Sequence, residues 1–134
     1  MRALIIIIFF AFAIHARAGE SYSITSNVQS KEYKCEIARE QLLKTPVWSP
    51  KADFPPLSPR KAEEAATARF RKLLKDTKGW RCSDITLDHP FEDEHWIYIV
   101  LFAPSEPHIG ADDSLQIIVL MDGNVVEPKV IDAK

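Results

Sequence analysis

The sequence predicts an α+β domain, an antiparallel four-stranded meander packed on one main helix, and three observations predict it. Residues 58–76 carry a helix start, an apolar stripe and a nearby stop. The run Trp96-Ile97-Tyr98-Ile99-Val100-Leu101-Phe102 is apolar at every position, as a strand covered on both faces requires. Asp122-Gly123-Asn124 then separates two further apolar stretches and reads as a tight hairpin turn.

The helix is justified residue by residue. The Ser58 hydroxyl is placed to accept from the free amides of the first turn. Pro59 falls at the first helical position, where a missing N–H costs nothing. Ala62, Ala66, Phe70, Leu73 and Leu74 recur at helical spacing and draw one apolar face. Alanine in its first half lets a sheet approach closely, and Gly79 is the expected stop. Arg60 and Lys61 oppose the helix dipole at about 0.5 kcal/mol each. A basic surface of Arg60, Lys61, Arg69, Arg71, Lys72 and Lys75 is therefore a candidate for an anionic partner.

The four strands of the meander are expected at 81–87, 96–102, 115–121 and 125–130, with Pro128 marking the last as an edge. The loops 88–95 and 104–113 between them are expected to be exposed.

The N-terminal part divides into three. Met1-Arg2, the apolar run Ala3 to Ile14, and Ala16-Arg17-Ala18 have the order of a cleavable signal peptide, 1–18. The apolar run is shorter than the roughly 20 residues a membrane-spanning helix needs. A secreted or periplasmic protein without stable membrane insertion is thus expected. Residues 19–45 read as a polar lead-in with a short strand at 22–24 and an extra helix. Within 31–44, Tyr33, Cys35 and Ile37 alternate like a strand, whereas Ile37, Ala38, Gln41 and Leu42 fit a helix. The helix formers of its second half favour the helix. Pro46, Pro50, Pro55 and Pro56 make 46–57 a stiff connector, pinned by Trp48 and Phe54, to the main unit of the 46–134 domain.

Loss of residues 1–18 leaves 15 basic against 19 acidic groups, which does not suggest nucleic acid. The charge is divided: 82–134 hold 2 basic and 11 acidic residues, and 31–81 hold 13 and 7. Cys35 and Cys82 are the only cysteines. In an oxidising compartment they read most simply as one disulfide, worth roughly 4 kcal/mol for a loop of this length, with two free buried thiols as the alternative.

Asp88-His89-Pro90-Phe91-Glu92-Asp93-Glu94-His95 is the richest chemical cluster. His89, Glu92, Asp93 and His95 are metal-ligating types, but the segment falls where a polar hairpin turn is needed. No H-E-x-x-H, no G-x-S-x-G and no glycine-rich phosphate loop occurs, and His108 has no acid fixed beside it. Neither a cofactor nor a catalytic residue is assigned. The aromatics Trp80, Phe91, Trp96, Tyr98 and Phe102 read as core.

The order helix, strand, Trp-x-Tyr strand, then a strand ending in an Asp-Gly turn and Val-Val resembles the PepSY domain. The stretches Pro55-Pro56-Leu57-Ser58-Pro59-Arg60-Lys61-Ala62 and Val119-Leu120-Met121-Asp122-Gly123-Asn124-Val125-Val126-Glu127-Pro128 are similar to small exported bacterial proteins of unassigned function. The resemblance covers roughly 46–130 and implies a PepSY- or cystatin-like curled sheet around the helix. The function expected is an exported, non-catalytic binding or regulatory module acting on a partner protein such as a peptidase. The alternatives are a small metal-dependent hydrolase built on the 88–95 cluster and a passive envelope structural protein.

Overall fold

The computed structural model describes residues 19–106 and 113–132. The expected signal peptide 1–18, and His108 in the loop 104–113, lie outside the described residues. The described chain is mostly β: two separate three-stranded antiparallel sheets and two helices. The four-stranded meander on one main helix is therefore corrected.

The chain opens with a hairpin of β1 (Ser21–Val28) and β2 (Lys31–Ala38), paired from Ser21↔Ala38 to Val28↔Lys31. Its turn residues Gln29 and Ser30 have φ of 48° and 66°. Left-handed geometry at both positions is that of a two-residue turn of the type usually written Asn-Gly. Gln-Ser carries no such signal. The strand alternation of Tyr33, Cys35 and Ile37 prevails over helix propensity, because burying those three side chains needs period two. The extra helix expected within 31–44 shrinks to one turn, α1 (Arg39–Leu42), which buries Leu42.

The main helix is α2 (Pro59–Leu73). Ser58 caps it, its Oγ accepting from the Lys61 amide at 3.3 Å, and Pro59 stands at the first position. Ala62, Ala66 and Phe70 are its buried stripe. The helix ends before 76: Leu74 is already extended, at φ −105° and ψ 131°. Gly79 is not the cap. With φ of 77° it serves the later turn into β3 (Trp80–Asp88), and its carbonyl accepts from Ser105 N at 2.6 Å.

β3 pairs with β4 (Ile97–Pro104), with a register shift between Cys82 and Asp84, and β4 pairs with β5 (Leu115–Leu120). β4 is central, as its unbroken apolar run demands. Tyr98, Val100 and Phe102, with Leu115, Ile117 and Val119, pack with Ala62, Ala66 and Phe70 of α2. Ile97, Ile118 and Leu120 instead cluster with Cys35, Ile37, Leu42 and Val126. β4 and β5 are thus buried on both faces, by α2 on one and by the β1–β2–β6 sheet on the other, with Val28 and Tyr33 of that sheet reaching the helix-side cluster. Tyr98 also ties the connector down, its Oη donating to the Leu57 carbonyl at 2.6 Å. Burial raises the pKa of this phenol.

The expected fourth strand at 125–130 does not extend the meander. The turn at Asp122-Gly123-Asn124 forms, with φ of 87° at Gly123 and Leu120 N donating to Asn124 O at 2.9 Å. Pairing then continues only through an isolated bridge between Val119 and Val125. Pro128 lacks a donor to carry the ladder on. Val126 is buried in the cluster between the sheets, so the chain crosses over. β6 (Lys129–Asp132) pairs with β2, from Lys31↔Asp132 to Lys34↔Lys129. Residues 19–45 are therefore not a lead-in: β2 and β6 bind both ends of the described chain into one sheet. Among the described residues no helix is long and apolar enough to cross a membrane.

Ser26, on the inward face of β1, is one of two buried polar residues among those described. Its Oγ accepts from Gln116 N at 3.1 Å, and Asn27 O accepts from Ser114 N at 3.1 Å. Both satisfy amides at β5, which explains a serine where an apolar residue would otherwise be expected.

Candidate functional site

The connector and the loop 88–96 meet in a cleft of about 390 Å³. Its size lies within the range of roughly 300–1,000 Å³ typical of small-ligand sites. Trp48 and Trp96 form its walls, with ring centroids 5.3 Å apart and planes at 64°. The His89 imidazole stacks on Trp96, centroids 4.3 Å apart and planes at 25°. Pro50 and Ala52 add apolar surface, and Glu92, Asp93 and Glu94 also line the cleft. Among the described residues no lysine or arginine does so.

The proline-rich connector holds Trp48 in place. Trp48 N donates to Glu94 O at 2.9 Å, fastening connector to loop, and its Nε1 donates to Ala52 O at 3.1 Å. The indole N–H is thus satisfied within the protein. On the other side, Trp96 precedes β4 and is fixed by that buried strand. Between them the loop turns at Glu92, which has φ of 55°. Such a conformation is uncommon for a residue with a side chain.

The expected metal-ligating residues are not brought together. His89 is stacked on Trp96. His95 Nδ1 lies 3.3 Å from Asp93 Oδ1, but without hydrogen-bond geometry, and it is buried without a partner among the described residues. Asp93 Oδ1 accepts from His95 N at 2.8 Å, so that carboxylate shapes the turn. Among the described residues no three His, Cys, Asp or Glu side chains converge as a metal would require.

The expected basic surface is only partly a surface. Arg60, Lys61, Arg71, Lys72 and Lys75 are exposed. Arg69 is half-buried and forms an ion pair with Glu127. Glu63 and Glu64 stand among Arg60 and Arg71 on the same shallow face, so its charge is mixed.

Cys35 and Cys82 stand as free thiols, the alternative to the expected disulfide. Cys82 sits on β3 opposite Phe102 and packs against the helix-side cluster, whereas Cys35 belongs to the cluster between the sheets. The β3–β4–β5 sheet stands between the two sulfurs, and a disulfide requires Cα atoms within about 7 Å. Burial raises the pKa of both thiols, with Glu63 adding to the effect at Cys82. Purified without reductant and then denatured, the protein is expected to release two reactive thiols per chain in a colorimetric titration. None released would restore the disulfide.

The Trp48–Trp96 pair was not legible as a site. Trp96 reads as core in a run of apolar residues, yet it is half-buried and faces the cleft. Phe54, expected to pin the connector, is 81% exposed, and Trp48 alone of that pair packs on a ring. The available signal was one tryptophan in the proline-rich connector and another directly after the acidic loop 88–95.

Comparison of the chain with family models, with curated proteins and with solved structures gives no match.

Proposed function

We propose that the protein is an exported, non-catalytic binding module that holds its ligand in the Trp48–Trp96 cleft. The observation that carries this reading is the cleft itself: two indole walls fixed by the connector and by β4, with a hydrogen-bonded indole N–H and three carboxylates beside them. Rigid aromatic walls offer large contact area at low entropic cost, which suits recognition. The neighbouring histidines and carboxylates support the same reading, since stacking and turn formation engage them separately. A peptidase as the partner rests only on the order of elements that resembles the PepSY domain.

Metal analysis tests this reading against a metal-dependent hydrolase. The purified protein is expected to carry no stoichiometric metal, and a chelator is expected to leave its thermal unfolding unchanged. One bound zinc per chain, or a midpoint that falls with chelator, would overturn the proposal in favour of the 88–95 residues as ligands. A passive structural role predicts that no small ligand raises the unfolding midpoint of the wild type more than that of Trp48→Ala.

A further inference from the structure

Resting on the reading of the cleft as a binding site, we infer that its ligand class is a quaternary ammonium compound, held by its alkylated cationic head. What the cleft offers a ligand decides this. The Trp48 N–H is already given to Ala52 O, so that wall presents its π face and ring edges rather than a donor. Indole faces attract cations through their quadrupole, and an anion has no such attraction. Glu92, Asp93 and Glu94 line the same cleft, and no lysine or arginine among the described residues offsets them. The field of these three carboxylates at the cleft favours a cation.

The shape narrows the class further. A guanidinium is flat and stacks on one ring, but the two indoles here stand at 64° and form a corner. His89 stacks on one face of Trp96, and a rounded, methylated ammonium fits the corner that the remaining indole surface forms with Trp48. Methylation replaces the N–H donors by methyl groups, which pack on the indole faces. Glu92 and Glu94 are exposed, and half-buried Asp93 already accepts from His95 N at 2.8 Å through Oδ1, so all three carboxylates add to the field that favours a cation. A phosphate attached close to the ammonium is disfavoured, because it would meet these carboxylates with no basic side chain lining the cleft. The ligand is thus a choline- or betaine-aldehyde-type soluble cation rather than a phospholipid head group.

Calorimetric titration of the full chain at low salt with choline, the uncharged carbon isostere of choline, and phosphocholine tests the inference. Choline is expected to bind about tenfold more tightly than either of the other two. Trp48→Ala should remove most of the choline binding, and Trp48→Phe, which keeps an apolar ring with a weaker quadrupole, should reduce it in part. Glu92→Gln combined with Glu94→Gln should weaken choline about threefold and leave the isostere unchanged. Thermal unfolding of each variant checks that it is folded. If the isostere binds as tightly as choline, cation recognition is overturned and the cleft remains a binding site. If phosphocholine or phosphatidylcholine vesicles bind more tightly than choline, the choice of a soluble ligand is overturned. Choline binding that survives in Trp48→Ala, or no binding of choline at all, also overturns the inference.

Discussion

Replacing Phe70 by alanine is expected to destabilise the protein by about 3–5 kcal/mol. Phe70 is 4% exposed and stacks on Phe102 with centroids 4.3 Å apart and planes at 7°, while Trp80 leans on it at 5.5 Å. It is the one large buried side chain on α2; the other two buried positions are alanines. Removing it leaves a cavity between helix and sheet that Ala62 and Ala66 cannot fill, since both already lie against β4 and β5. Urea unfolding should show a lower midpoint with an unchanged slope. A loss below about 1 kcal/mol would mean that the helix is not seated on the sheet through this ring.

The second large effect is expected at Ile37, where alanine should cost about 2–5 kcal/mol. Ile37 is fully buried, but in the cluster between the sheets rather than under α2. Its neighbours there include Ile97, Ile118 and Leu120 on the far face of β4 and β5. A single meander on a helix, with residues 19–45 as a lead-in, would leave this position near neutral. The same urea measurement therefore decides whether the β1–β2–β6 layer covers the second face.

The parts of the fold legible in the sequence were those where local signals and burial agree. Ser58-Pro59 sets the start of α2, the alanine stripe sets its buried face, and the unbroken apolar run sets β4 at the centre of its sheet. The same run also held the missing information. A strand buried on both faces needs two covering layers, and one helix supplies only one. The second layer was only half visible: a short strand at 22–24 and the alternation of Tyr33, Cys35 and Ile37 could be read, but the Gln-Ser turn that joins them into a hairpin carries no signal. The destination of β6 depends on pairing with a strand about a hundred residues earlier, and no local pattern encodes that. At the cleft, the tryptophans were visible as residues but not as a pair, because the connector's path brings Trp48 to Trp96.

The central claim is that Trp48 and Trp96 act as one binding surface, and fluorine NMR of fluorotryptophan-labelled protein tests it most directly. The chain contains three tryptophans, and the third, Trp80, packs on Phe70 at the helix-side cluster. On titration with small cationic and apolar fragments, the resonances of Trp48 and Trp96 are expected to shift together with one saturation curve while that of Trp80 stays in place. Fragments that move Trp80 alone, or that leave all three resonances unmoved, would contradict the account.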